Sequence, residues 1–269
     1  MKYLKIILTA LISFVFCLSV ILCGDNSLKI SRYTIENEKI SNPLRIVLVS
    51  DLHLIEYGKD NCVLLKMIED EKPDIIAVTG DVTQRFKDDQ SSAYKFLENV
   101  SKIQNTYFCI GNHEYTLEYQ YGGVFDRIKK TGVRFLYNEA DTVIIKGQSI
   151  CIGGLSSFPE QCTQEFAFLE NFEKNDCFKL LLCHYADYFG FILKDRPLDL
   201  ILSGHAHGGQ IRLPFIGGLF APEQGLFPKY TKGVYKSDKS TVVVSAGLAN
   251  TVKYPRLNNP TELVVIDIT

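Results

Sequence analysis

The chain has 269 residues, 46% of them hydrophobic and 22% charged, enough for one large α/β domain or two small ones. Its formal net charge is -2 and no run of Lys or Arg exceeds two residues. The basic stripe of a nucleic-acid-binding protein is therefore missing, and no nucleic-acid partner is expected.

The first predicted element is the run "IILTALISFVFCLSVILCG", which follows Lys2 and Lys5 and carries no charge before Asp25. As a helix, residues 6–23 would reach roughly 27 Å at about 1.5 Å per residue, near the thickness of a bilayer core. No A-x-A site follows, and Leu22 is a poor fit to the small residue that a lipoprotein signal places before its Cys. The expectation is an uncleaved single-pass anchor over residues 1–24, placing the protein at the cell membrane. A processed signal and a soluble helix are the alternatives. Lys2 and Lys5 on one side and Lys29, Arg32 and Lys39 on the other leave the orientation open. Residues 25–40 read as a linker or a first edge strand.

From residue 41 to 269 the pattern is that of one domain. "LRIVLV" is a continuous apolar run, hence a buried strand. "NCVLLKMIEDEKP" puts Val63, Leu64, Met67 and Ile68 on one helical face and stops at Pro73. "DIIAVTG" is the next strand, "SSAYKFLENVSKI" the next helix and "TYFCIGN" a third strand. Strands alternating with helices imply right-handed βαβ units and a parallel sheet. The second half is richer in strands: "TVIIKG", "SICIGGL", "FKLLLCH", "LDLILSGH", "QIRLP", "TVVVSAG" and "ELVVIDI". Only "TQEFAFLENFEK" and "DYFGFILKD" read as helical between them. The predicted fold class is α/β, two packed mixed β-sheets flanked by helices. Residues 214–233, rich in Gly and Pro, read as a long ordered loop, a type that is often functional.

The eight cysteines contain no C-x-x-C, and Cys109, Cys151 and Cys183 fall in apolar strand-like stretches, where a thiol packs as a small hydrophobe. Neither a disulfide framework nor a zinc ribbon is expected, and six free cysteines beyond the N-terminal run suit a reducing compartment.

What ends each strand carries the chemistry. After "LRIVLVS" comes Asp51-Leu52-His53, and after "DIIAVT" comes Gly80-Asp81. After "TYFCI" comes Gly111-Asn112-His113-Glu114, "FKLLLC" is followed by His184, and "LDLILS" by Gly204-His205-Ala206-His207. All five histidines of the chain thus sit just past an apolar strand. Ligands of open α/β sheets bind outside the carboxyl ends of the strands, so these groups should converge on one rim. Taken singly, a D-x-H, a Gly-Asp turn or a strand-end His is ordinary. Core packing, however, would scatter histidines along the chain. Imidazole and carboxylate suit Zn, Mn or Fe, and eight such groups suit two ions sharing a carboxylate, a device for phosphoryl chemistry.

The ordered set D-x-H, G-D, G-N-H-E, H, G-H-x-H, from Asp51 to His207, resembles the calcineurin-like metallophosphoesterases. The tail "SGHAHGGQIRLP…KYTKGVY…SAGL…PRLNNPTELVVIDI" is similar to a membrane-associated branch that includes bacterial phosphohydrolases and UDP-diacylglucosamine pyrophosphatases of lipid A synthesis. The resemblance implies a four-layer α/β/β/α sandwich and two divalent cations, Mn favoured over Zn or Fe. It implies that Asp51, His53 and His207 hold one cation, that Asn112, His184 and His205 hold the other, and that Asp81 bridges them. His113 would be no ligand. It would act as general acid towards the leaving group, while a hydroxide held between the cations attacks phosphorus in line. Gln84 stands where purple acid phosphatases carry a Tyr ligand, which sets that relative aside. Arg85, Gly208 and Arg212 are the candidates for contact with substrate phosphate. Turn formation or strand-surface placement is the alternative for the latter two.

The expected activity is metal-dependent hydrolysis of a phosphoester or diphosphate bond, on a phosphorylated small molecule or a lipid such as UDP-diacylglucosamine. The alternatives are a broad-specificity envelope phosphodiesterase or phosphatase and, more remotely, a non-catalytic scaffold on the same fold.

Overall fold

Strands buried on both faces need two different cores, and the alternation of side chains in "LRIVLV" supplies them. In the computed structural model, which describes residues 2–22, 27–156, 162–249 and 256–269, Val47 and Val49 of this strand face a core covered by helices. Leu44, Ile46 and Leu48 face a second core between two sheets.

In chain order the elements are α1 (Lys2–Leu22), β1 (Lys29–Ile35), β2 (Leu44–Val49), α2 (Cys62–Asp70), β3 (Ile75–Val78), α3 (Ser91–Val100), β4 (Thr106–Cys109), α4 (Asn112–Tyr121), α5 (Val124–Lys129) and β5 (Arg134–Leu136). The second half adds β6 (Glu139–Ile145), β7 (Gln148–Leu155), α6 (Cys162–Phe172), β8 (Phe178–Tyr185), β9 (Leu200–Gly204), β10 (Arg212–Leu213), β11 (Gly217–Gly218), β12 (Phe220–Ala221), β13 (Gly225–Leu226), β14 (Gly233–Lys236), β15 (Thr241–Val244) and β16 (Glu262–Ile268).

Two six-stranded sheets result, ordered β1-β16-β2-β3-β4-β5 and β14-β15-β9-β8-β7-β6. Strands β2 to β5 run parallel, as do β7, β8, β9 and β15, while β16 and β14 run antiparallel to their inner neighbours β2 and β15. Ile46, Leu48, Leu180, Leu182, Leu200 and Leu202 meet in the layer between the sheets. Each fully buried Leu or Ile there contributes about 1.5–3 kcal/mol. Helices α2 and α3 cover the first sheet with Leu64, Ile68, Phe96 and Leu97, and α6 covers the second with Leu169 and Phe172. The four-layer arrangement is the one expected.

Several local expectations are settled or changed. Of the two alternatives for the segment before residue 41, the edge strand is the one formed: residues 29–35 are β1, paired in parallel with β16 at the edge of the first sheet. "QIRLP" contributes only β10, which pairs with β11 in a small ribbon outside both sheets. The segment "DYFGFILKD" holds a single π-helical turn, Phe189–Leu193.

Two further corrections follow. The single-pass anchor, and with it the placement at a membrane, is not supported: among the described residues no helix is long and apolar enough to cross a membrane. Helix α1 starts on Lys2 and Lys5, and its charge-free part up to Leu22 spans roughly 25 Å at about 1.5 Å per residue, short of the about 30 Å of a bilayer core. Cys23, weighed as a lipoprotein site, lies outside the described residues. The expectation of unpaired cysteines fails as well, because Cys151 and Cys177 form a disulfide with a Cα–Cα distance of 5.9 Å. Cys62 and Cys109 are free thiols.

Candidate metal centre

The carboxyl ends of β2, β3, β4, β8 and β9 open onto one edge of the sandwich, and the chain turns sharply there. Asp51, His53, Asp81, His205 and His207 all have positive φ, at 55°, 46°, 53°, 65° and 46°. This conformation is uncommon outside Gly and Asn, and its clustering marks a site where strain is held by surrounding structure. Gly111 and Gly204 of the motifs leave room for groups of the neighbouring loops to approach closely. A Cβ on Gly111 would lie 2.1 Å from Asp81 Oδ1, and one on Gly204 would lie 1.8 Å from Ser50 Oγ. The fully buried Glu114 braces this edge. Its carboxylate accepts from the N–H groups of Asp81, Thr83 and Gly111 at 2.8–2.9 Å and from the Thr83 hydroxyl at 2.9 Å.

The side chains so placed form two adjoining clusters, buried except for the half-buried Asn112. In the first, Asp51 Oδ1 lies 3.8 Å from both His53 Nε2 and His207 Nε2. In the second, His184 Nε2 lies 3.2 Å from Asn112 Oδ1 and 3.0 Å from His205 Nδ1. Asp81 stands between them. Its Oδ1 accepts from the His113 N–H at 2.9 Å, while Oδ2 lies 3.6 Å from His53 Nε2 and 3.3 Å from His184 Nε2.

Hydrogen bonding on the far side of the rings decides what these nitrogens can do. His53 Nδ1 donates to the Thr83 carbonyl at 3.2 Å and His184 Nδ1 to the Thr79 carbonyl at 2.6 Å. The inward Nε2 of each neutral ring is then a lone pair. His53 Nε2 is buried and has no hydrogen-bond partner. His184 Nε2 faces a carboxylate oxygen and an amide oxygen. Buried acceptors facing acceptors are costly unless a cation lies among them, and imidazole, carboxylate and amide oxygen form a donor set for first-row divalent ions. The residues therefore fit a pair of cations. Without a cation a proton takes that place at His184: burial works against its charge, but Asp81 and Asp51 raise its pKa to about 10. Burial likewise opposes the charge of Asp51 and Asp81, yet the surrounding imidazoles hold both carboxyls below the ordinary range.

His113 differs. Burial pushes its pKa down to about 4, so the ring is neutral near pH 7. The Arg85 backbone N–H donates to its Nδ1 at 3.1 Å, which leaves the proton on Nε2, 3.9 Å from Asp81 Oδ2. This is a donor aimed into the site.

A cavity of about 250 Å³ opens over both clusters, walled by Arg85, Phe86, His113, Tyr185, Pro222 and Glu223. Of the substrate-contact candidates, Arg85 lines it, with its guanidinium 4.8 Å above the Phe86 ring. Arg212 points elsewhere, donating to the Gly208 carbonyl at 2.8 Å and to Thr231 Oγ1 at 3.1 Å. Gly208 packs against Asn259 and is not part of the wall. Phe86, Tyr185, Glu114 and Glu223 are functional positions that no sequence motif points to as site residues. Glu114 had only a weak signal, its place directly after His113. Glu223 had none, since it lies in a loop remote from every motif.

A family model described as calcineurin-like phosphoesterase matches residues 44–209, the span that holds every strand end described above. The chain belongs to the calcineurin-like phosphoesterase family. Among similar proteins, "Phosphodiesterase YaeI" of Escherichia coli is 26% identical over 236 residues, covering 84% of this chain and 82% of that one. The "Uncharacterized metallophosphoesterase YkuE" of Bacillus subtilis is 31% identical over 215 residues, covering 77% and 72%. An uncharacterized metallophosphoesterase of Aquifex aeolicus is 28% identical over 254 residues, covering 90% and 92%. Membership makes this chain a metal-dependent phosphoester hydrolase, with phosphodiesterase or phosphatase activity and the Asp/His clusters as its candidate metal sites.

Proposed function

We propose that this phosphoesterase is a two-cation phosphodiesterase in which Asp51, His53 and His207 would hold one divalent ion and Asn112, His184 and His205 the other, with Asp81 set between the two clusters. The observation that carries the reading is the position of Asp81 Oδ2, within 3.6 Å of a lone-pair nitrogen from each cluster. Bound there, divalent cations would supply positive charge for the phosphoryl oxygens and lower the pKa of water. The protein's own residues do the rest. His113 donates from Nε2–H to the departing oxygen, and the Arg85 N–H on Nδ1 keeps the proton on that side. Arg85 and Phe86 at the cavity mouth grip the group beyond the phosphate, whereas Gly208 and Arg212 support the loop behind the second cluster. Mn²⁺ is the cation of choice for first trials.

A phosphodiester or diphosphate with an amphiphilic leaving group, UDP-diacylglucosamine included, is the finer reading. What supports it is the loop that brings Pro222 and Glu223 to the cavity, because the same loop exposes Phe215, Ile216, Phe220, Leu226 and Phe227. The test is turnover by the full chain with Mn²⁺ of a chromogenic phosphodiester, a phosphomonoester and UDP-diacylglucosamine, alongside His113→Ala. The diester should exceed the monoester, and His113→Ala should lose about 100-fold or more. Preference for the monoester would refute the diesterase reading, and failure of the UDP-lipid alone would remove the amphiphile.

A further inference from the structure

His53 and His184 are oriented by main-chain carbonyls that no substitution can remove. His205 is oriented differently. Its Nε2 meets the Glu223 carboxylate, a side chain from a loop 18 residues further on. A carboxylate only accepts, so the neutral ring carries its proton on Nε2. The lone pair is then on Nδ1, which points at His184 Nε2 from 3.0 Å. The opposite tautomer would aim an N–H into the cluster where a cation has to sit.

The loop is built to hold Glu223 in this place. Strands β12 and β13 form a hairpin whose tip carries Glu223 at φ 58°. The next residue, Gln224, is bonded twice to Tyr230: its Nε2 donates to the Tyr230 carbonyl at 2.8 Å and its Oε1 accepts from the Tyr230 N–H at 2.9 Å. Tyr230 in turn packs edge-on against Phe189 and Tyr235. On its other flank the His205 ring rests on Tyr185, with centroids 4.4 Å apart. The Glu223 side chain is 52% exposed and lines the cavity, so it is held there although burial alone would not require it.

We infer that Glu223 is the positioning residue of the second cation site: its carboxylate, held by the β12–β13 hairpin, accepts from His205 Nε2 and so presents Nδ1 to the metal. The inference rests on the two-cation reading above. Carboxylate partners of this kind fix the tautomer and raise the basicity of the ligating nitrogen, and their removal typically costs about 10–100-fold in metal affinity.

The test is titration of the metal-free full chain with Mn²⁺, following free Mn²⁺ by electron paramagnetic resonance, for wild type, Glu223→Gln and Glu223→Ala. Wild type is expected to bind two ions. Glu223→Ala should weaken one of them about 10–100-fold and leave the other unchanged. Glu223→Gln keeps an acceptor oxygen and should recover most of that loss. The melting temperature of the metal-free protein should be the same in all three, which a merely structural role would not allow. Hydrolysis by Glu223→Ala should fall at low Mn²⁺ and return at saturating Mn²⁺. Two unchanged sites in Glu223→Ala overturn the inference, as does equal weakening of both sites or a lowered metal-free melting temperature. Fewer than two ions in wild type would instead overturn the two-cation reading, and the inference with it.

Discussion

The two halves of the metal rim are held in different ways. On the first sheet the loops after β2, β3 and β4 are tied to one another by buried groups close in sequence to the ligands: Glu114 gathers Asp81, Thr83 and Gly111, and His53 leans on the Thr83 carbonyl. On the second sheet, His205 depends on a carboxylate from a half-exposed hairpin. The supports of the first half are part of the core. The second half is mixed: His184 leans on the buried Thr79 carbonyl, while His205 meets a side chain that can be changed without touching the core.

The largest expected effect follows from breaking the first half. Glu114→Ala strands four buried donors of the brace, at about 1–3 kcal/mol each. A loss of about 4 kcal/mol or more in urea unfolding is expected, and a change below about 1 kcal/mol would show that the brace is not structural. A smaller loss comes from the second sheet, away from the rim. Cys151→Ser should destabilise by about 3 kcal/mol, since the disulfide closes a loop of 26 residues, while kcat of the folded protein stays within about twofold. A fall in kcat at full folding would couple that bond to the site. The smallest effect belongs to Arg212→Ala. It gives up two hydrogen bonds on the loop behind the second cluster and should cost about 1 kcal/mol, with KM for a small diester unchanged. A rise in KM above about fivefold would put Arg212 in contact with substrate after all.

How much of this was legible in the sequence follows the same division. The strands announced themselves as short apolar runs, and the groups that end them lie within a few residues of each run, so the rim could be read locally. Helix α4 could not be. It begins directly at Asn112 and carries no apolar stripe, and Leu117 is its one buried hydrophobic residue among the described side chains. The glycine pair Gly122–Gly123 separates it from α5, which has only six residues. Strand β1 mixes exposed and half-buried positions, as an edge strand does, which left the sequence open between edge strand and linker. The Cys151–Cys177 bond and the Glu223–His205 contact join residues 26 and 18 apart with no motif between them. Such pairings are set by how sheets and hairpins pack, which periodicity does not encode.

Asp81 Oδ2 faces both clusters, and a two-cation centre needs it to serve both. Counting Mn²⁺ bound to the purified, metal-stripped full chain tests this most directly when wild type is compared with Asp81→Asn. Wild type should bind two ions per chain, and Asp81→Asn should weaken both, not one alone. A single ion in wild type, or an Asp81→Asn variant that keeps one site at full affinity, would contradict it.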